Sequence, residues 1–149
     1  MDTGLLATVV AAAAAVVAVP IAWYYGHRST RRSKARIKVQ VTNMIPTYTG
    51  DWFVAVSAVN TGDRAVTITG WGVKLPGGRR MVVMQPPNWS TPVPHRLEPD
   101  AEAARFLVHA DELFRLQREQ GIPFKDMKGY VTLADGTEVK ADLGVPLAL

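Results

Sequence analysis

The pattern of apolar and polar positions divides the chain into two parts. Residues 5–24, LLATVVAAAAAVVAVPIAWY, carry no charge, whereas from residue 37 onward apolar and polar positions alternate over short intervals. A helix rises about 1.5 Å per residue, so the uncharged run is long enough to span the roughly 30 Å hydrocarbon layer of a bilayer. The pattern predicts a transmembrane helix within residues 1–26.

Two other interpretations of this run are a core helix and a cleavable secretory signal. A helix that is apolar on every face, at one end of a small chain, has little protein to bury it. Asp2 stands where a signal peptide carries Lys or Arg, and the run is long for the apolar part of a signal. Both arguments favour the transmembrane helix, which Pro20 is expected to kink or to end.

Short alternating stretches separated by turn residues predict strands in the rest of the chain. The predicted strands are residues 37–44, 51–60, 64–75, 79–85, 101–109, 127–133 and 138–145. Residues 86–99 hold five of the ten prolines, so this interval is predicted to be an irregular surface connection. Gly70 and Gly72 lie inside a strand, where glycine often marks a bulge or a close approach of two backbones.

Residues 111–120, DELFRLQREQ, depart from the alternation and predict one short helix. Asp111 is the expected N-cap, and Gly121 followed by Pro123 is the expected stop. Turn chemistry predicts tight turns at NTGD 60–63, PGG 76–78 and ADGT 134–137. In the first of these turns, Gly62 is expected to adopt a positive φ.

These elements predict a mainly β fold with an N-terminal membrane helix. Residues 1–26 form the transmembrane helix, residues 27–36 a basic juxtamembrane linker, and residues 37–149 an antiparallel immunoglobulin-like β-sandwich with one short inserted α-helix. A small β-barrel is the alternative for the last part. Trp52 or Trp71 is expected to occupy the central core position that sandwiches commonly give to tryptophan.

The net charge of +4 is concentrated in one segment. Residues 27–38, HRSTRRSKARIK, contain six Lys or Arg and no acid, while the remainder of the chain holds eleven basic and thirteen acidic residues. Basic residues beside a span are retained on the cytoplasmic side, which predicts an outside N-terminus and a cytoplasmic C-terminal domain. The expected contacts with a lipid bilayer of anionic headgroups are Trp23, Tyr24, Tyr25, Arg28, Arg31, Arg32, Lys34, Arg36 and Lys38.

The sequence offers little support for catalysis or for a metal centre. The chain has no cysteine, which excludes disulfides and thiolate zinc sites. His27, His95 and His109 lack metal-ligand spacing, no serine lies in a G-x-S-x-G setting, and PGGR at 76–79 is too short for a phosphate loop. We therefore predict no catalytic residues, no cofactor and no metal.

Three acids alternate where the strand at 101–109 begins. Glu98, Asp100 and Glu102 could supply oxygen ligands for calcium, because alternate residues of a strand share a face. Acids at the start of a strand are more often a solvated edge, and this interpretation is preferred.

The proline-rich connection and the helix are the expected working surface, because rigid β domains usually carry function on their connections. Trp89 is the most suggestive single residue, since a ring among prolines could anchor a partner or fold back onto the domain. The predicted partner-binding residues are Trp89, His95, Arg96, Phe114 and Arg118.

Two stretches carry a family resemblance. They are VNTGDRAVTITGWGVKLPGGRR at 59–80 and PHRLEPDAEAARFLVHADELFRLQREQG at 94–121. With an N-x-G strand end, a T-G-W-G strand and a helix before the last hairpin, the chain resembles small actinobacterial proteins over most of residues 55–135. The resemblance implies a β-sandwich and brings no assigned activity.

The favoured hypothesis is a non-enzymatic, membrane-anchored adaptor or scaffold that displays a cytoplasmic β-sandwich to a protein partner or to copies of itself. The alternative is an outward-facing envelope protein that binds a glycan or a surface ligand through Trp89. An enzyme and a nucleic-acid binder are further hypotheses. Nucleic acid is the less favoured partner, because residues 39–149 hold eleven basic against twelve acidic residues and offer no basic surplus.

Overall fold

The computed structural model describes residues 35–147, which are mainly β, with antiparallel sheets and one α-helix, as the sequence predicts. The elements are β1 (Ile37–Met44), β2 (Phe53–Asn60), β3 (Val66–Lys74), β4 (Arg80–Met81), β5 (His95–Leu97), β6 (Ala104–His109), α1 (Ala110–Gln120), β7 (Lys128–Leu133) and β8 (Glu138–Lys140). Short 3-10 turns occupy Pro76–Gly78 and Phe124–Asp126.

The predicted membrane span lies outside the described residues, and so does most of the basic linker. Within residues 35–147, no helix has the length and apolar character needed to cross a bilayer. Of the predicted headgroup contacts, only Arg36 and Lys38 are described, and both are exposed. Lys38 belongs to β1, where it lies opposite Val59.

The first sheet has three antiparallel strands in the order β1, β2, β6. Ile37 lies opposite Asn60 and Met44 opposite Phe53, so β1 and β2 pair along their full lengths. On its other side β2 pairs with β6, from Phe53 opposite His109 to Ala58 opposite Ala104. The middle strand is the most buried of the three, because it has neighbours on both edges.

The second sheet has five strands built around β3. One edge of β3 pairs with β7, which in turn pairs with β8. The other edge is shared, since β5 pairs with Val66–Ile68 and β4 pairs with Val73 and Lys74. A bulge between Ile68 and Gly70 interrupts the pairing with β7, as expected from the glycines in this strand.

The two sheets pack around one hydrophobic core. Alternate residues of each strand face inward, which is the period expected of strands with one buried face. The inward side chains of the strands include Val54, Val56, Phe106, Ile68, Trp71 and Val131. A Cβ on Gly129 would lie 2.8 Å from methyl groups of Val41 and Val56, so this glycine lets the two layers approach closely.

Helix α1 follows β6 directly, and its start differs from the prediction. The residue before the helix is His109, whose side chain makes no capping bond, and Asp111 lies within the first turn. The amide of Ala110 donates instead to the carbonyl of Trp52, 2.9 Å away. The predicted N-cap was therefore wrong, because tertiary pairing with β2 replaces it. The predicted stop is confirmed, since Gly121 adopts φ 64° and ends the helix.

Two strand lengths, one connection and one turn also differ from the prediction. The strand predicted at 79–85 is only Arg80–Met81, and the one predicted at 138–145 ends at Lys140. The proline-rich interval contains β5, which pairs with β3. Gly62 does not have a positive φ, because its amide donates to the Asn60 side chain, 3.0 Å away, and this bond forms the turn.

Candidate functional site

Trp89 lies on the outer face of the three-stranded sheet. Its ring meets the ring of Phe53 edge to face, with centroids 4.8 Å apart, and its side chain stays 38% exposed. The next residue, Ser90, is buried, and its hydroxyl accepts a hydrogen bond from the amide of Leu107 at 3.1 Å. The proline-rich connection thus covers a small outer cluster of Phe53, Ala55 and Leu107. Trp89 packs on this cluster and still presents part of its surface.

The other predicted partner-binding residues do not form one surface with Trp89. Phe114 packs against two rings, with centroids 5.4 Å from Trp52 and 5.2 Å from Phe124, so it is partly buried against the core. Arg118 is exposed on α1. The remaining two belong to the other sheet, where His95 lies opposite Ile68 and Arg96 opposite Thr67.

The outer edge of β1 carries backbone groups without a strand partner among residues 35–147. The amide of Thr61 donates to the carbonyl of Arg36 at 2.7 Å. This bond shows which residues of β1 form backbone hydrogen bonds with β2. In an antiparallel pair, the backbone N–H and C=O groups of every second residue bond to the partner strand, and those of the residues between point away from it. Lys38 and Gln40 therefore bond to β2, while the N–H and C=O groups of Val39 and Val41 point outward.

A cleft of about 320 Å³ runs along this edge. Its floor and walls come from residues 38–42 of β1 and from the segment 141–143 that follows β8. Leu143 is 81% exposed at the rim, which gives the cleft an apolar side chain that the domain does not bury. At one end the edge is closed, because the side-chain amide of Asn43 donates to the carbonyl of Pro146. We name this cleft with its strand the β1 edge.

A second surface is the outer face of the five-stranded sheet. Trp71 and Val73 point into the core, so Lys74 points outward, and register places Arg80 and Lys128 directly opposite it on the two neighbouring strands. Lys140 lies opposite Tyr130 on the next row. We name Lys74, Arg80, Lys128 and Lys140 the cationic face.

One carboxylate organises part of the cationic face. Glu138 bonds to Lys74 Nζ at 2.6 Å and to Arg80 at 2.9 Å. The guanidinium of Arg80 also lies over the ring of Tyr130, 5.5 Å from its centroid. The hydrogen bond from Lys74, together with the charges of Arg80, Lys74 and Lys140, outweighs partial burial and lowers the pKa of Glu138 below its usual value.

Within residues 35–147, no three His, Asp or Glu side chains are grouped to hold a metal ion. The acids Glu98, Asp100 and Glu102 are exposed, and Glu98 pairs with Arg96. No protein-family model matches the chain, and no curated protein matches it at a significant level. Function is therefore inferred from the sequence and the geometry of this chain.

Sequence reasoning missed both the β1 edge and the cationic face. Alternation identified β1 as a strand, but it does not show which strand lies at an edge or which backbone groups lack a partner. The basic residues of the cationic face are scattered between positions 74 and 140, so no local run reveals them. The alternating pattern of the strands did carry a signal for the cationic face, because each of its basic residues occupies an outward position of that pattern.

Proposed function

We propose that the chain is a non-enzymatic, membrane-anchored interaction module whose cytoplasmic domain is an immunoglobulin-like β-sandwich. The two antiparallel sheets around one core support the sandwich, and the T-G-W-G and N-x-G motifs that resemble small actinobacterial proteins agree with it. The uncharged run and the basic segment after it support the anchor and its orientation.

The observation that carries the proposal is the β1 edge. Outward N–H and C=O groups at Val39 and Val41 are a template for another strand, and natural edge strands are usually covered or shortened to prevent such pairing. β1 is eight residues long. A segment that adds to this edge would gain main-chain hydrogen bonds, and an apolar side chain of that segment would fill the cleft beside Leu143.

The proposed partner is therefore a protein segment in extended conformation, with apolar residues at alternate positions. Anchoring supports such binding, because a membrane-held domain meets partners on the same membrane at a raised effective concentration. A modest intrinsic affinity then suffices.

Photo-crosslinking in intact cells tests the use of this edge. A crosslinker at Thr42, which lines the cleft, should form an adduct, whereas one at Thr137 in the far hairpin turn should not. Val41→Pro removes an outward N–H and should abolish the adduct. Ser57→Ala is the control, since Ser57 lies on the neighbouring strand β2, does not line the cleft, and leaves the outward backbone groups of β1 intact. If the adduct persists in Val41→Pro, or if the crosslinker at Thr42 forms no adduct, the β1 edge is excluded as the partner-binding site.

Membrane topology is tested separately. Because the chain contains no cysteine, Thr137→Cys provides a single reactive thiol in an exposed turn. The proposal expects a membrane-impermeant maleimide to label it only after the cells are permeabilised. Labelling of intact cells would instead establish the outward-facing alternative, for which the partly exposed Trp89 would be the ligand-binding ring.

A further inference from the structure

The cationic face concentrates positive charge on one surface of a nearly neutral domain. Four cations and a single carboxylate, Glu138, occupy the outward positions of β3, β4, β7 and β8. The only charged side chains in the outward positions of the three-stranded sheet are Lys38 and Arg105. The two faces therefore differ in the partners that they attract.

The register of the cationic face is unfavourable for the isolated domain. Arg80, Lys74 and Lys128 lie directly opposite one another on three adjacent strands, and like charges at opposed positions repel. Glu138 offsets this repulsion for Lys74 and Arg80. Among the described residues no salt bridge reaches Lys128 or Lys140, so an anion from outside would relieve the remaining repulsion.

A hollow of about 210 Å³ opens beside these uncompensated charges. Lys74, Lys128 and Lys140 line it, together with Leu75, Pro76 and one acid, Asp126. The ammonium group of Lys74 is bonded to Glu138, whereas no salt bridge among the described residues engages Lys128 or Lys140. Two such lysines beside one hollow suit a phosphate, which accepts several hydrogen bonds at once. The terminal ammonium of Lys128 also donates to the main-chain carbonyl of Asp142 at 3.1 Å, which holds this lysine at the hollow.

We propose that the cationic face docks the domain onto an anionic lipid leaflet. This inference rests on the proposed function, because the anchor would hold the domain close to the leaflet. The linker from residue 27 to residue 35 reaches about 30 Å when extended, which is enough for the domain to turn this face toward the headgroups. A broad face of separate cations fits a plane of phosphates. A nucleic acid would need a continuous basic track instead.

The proposal has a quantitative consequence. Each basic side chain near an anionic leaflet shifts the docking equilibrium about fivefold, and the shift decreases when salt screens the charges. Reversing the charge of Lys128 and Lys140 should therefore lower the equilibrium constant for docking by a factor of at least about 25.

The test uses the full chain in vesicles and single cysteines for labelling. Thr132→Cys places a dye on the cationic side of β7, and Ser57→Cys places the same dye on the outer face of the three-stranded sheet. Headgroup-attached nitroxide lipids quench a dye that lies at the membrane surface. Vesicles of phosphatidylcholine are compared with vesicles that also contain phosphatidylglycerol.

We expect the dye at residue 132 to be quenched only in the anionic vesicles, and the dye at residue 57 to remain unquenched in both. Lys128→Glu with Lys140→Glu should remove the quenching, and added salt should do the same. Arg105→Glu with Arg115→Glu changes the net charge equally on exposed residues elsewhere and should have little effect. Equal quenching at residue 132 in both vesicle types, or quenching at residue 57 instead, overturns the docking proposal.

Flotation separates this failure from a failure of the anchor. A chain that is anchored floats with pure phosphatidylcholine vesicles whatever its cationic face does. A chain that does not float with them contradicts the proposed function, and the docking proposal falls with it. If added RNA protects the cysteine at residue 132 from labelling, and the dye there is not quenched in anionic vesicles, the cationic face binds nucleic acid and the lipid-docking proposal is overturned.

Discussion

The ring of Trp71 on β3 stacks on the ring of Phe106 on β6, with centroids 5.5 Å apart and planes inclined by 25°. The two residues belong to different sheets, and both are buried. This contact joins the layers at the centre of the core. Of the two tryptophans expected at the central position, Trp71 occupies it, while Trp52 is only partly buried beside Phe114.

Trp71→Ala should be among the most destabilising single substitutions in the domain. It removes a buried ring and leaves a cavity between the sheets, which typically costs about 3 to 5 kcal/mol in the free energy of unfolding. Urea unfolding followed by far-UV circular dichroism measures this cost. Trp89→Ala is the matched control, because Trp89 is 38% exposed on an outer face, and it should cost only about 1 to 2 kcal/mol. Equal costs would contradict the assignment of Trp71 to the core.

Gly129→Ala should destabilise the packing between the sheets. The new methyl group would lie 2.8 Å from the side chains of Val41 and Val56, so the layers would have to separate, at a cost of about 1 to 3 kcal/mol. Gly70→Ala adds the same methyl group at a strand position where the nearest atom is 3.9 Å away, and it should change stability by less than about 0.5 kcal/mol. Thermal unfolding of both variants provides the comparison.

Asn60→Ala should cost about 2 to 3 kcal/mol, although the residue lies at a strand end. Its side-chain amide donates to the carbonyls of Arg64 and Leu97 at 2.6 and 3.1 Å, and its oxygen accepts the amide of Gly62. Because Asn60 is buried, alanine leaves these groups without partners. The exposed Asn43 makes one comparable bond, so Asn43→Ala should cost about 0.5 kcal/mol. Chemical denaturation of the two variants would reveal the difference, and a similar loss in both would contradict the role of Asn60.

Glu138→Gln should remove a pH-dependent contribution to stability. The folded-state pKa of Glu138 lies below its ordinary value of 4.5, so the ion pairs stabilise the fold above that value and are lost as the pH falls through the folded-state pKa. Since Lys74 and Arg80 are partly exposed, with 33% and 52% of their side chains accessible, solvent screening limits the effect to about 1 kcal/mol or less.

The measurement is the difference in unfolding free energy between the original chain and Glu138→Gln, followed from neutral pH to below 4.5. The difference should be largest near neutrality and should shrink toward zero in acid, because a protonated glutamate resembles glutamine. The comparison isolates Glu138, because the substitution changes no other carboxylate. A difference that is constant with pH would show that the ion pairs do not account for it.

Local sequence patterns were sufficient to predict the long strands and the helix. Strands β1, β2, β3, β6 and β7 lie within intervals that alternation predicted, and α1 ends at Gly121 as expected. The predictions failed where a distant contact decides the structure. Strand β5 forms in a proline-rich interval because β3 offers it an edge, and α1 begins without an Asp cap because Trp52 accepts the first bond. In both cases a tertiary hydrogen bond overrides a local preference.

The sequence by itself determined that residues 37 onward are mainly β, since period-two alternation buries one face of each strand. It also located the charge surplus in residues 27–38, because that run is contiguous. Only the tertiary structure decided that β1 lies at an edge with the backbone N–H and C=O groups of Val39 and Val41 pointing outward, and that Lys74, Arg80 and Lys128 form one row. These relationships depend on which strands become neighbours and in what register, and both are set by packing between segments that are far apart in the chain.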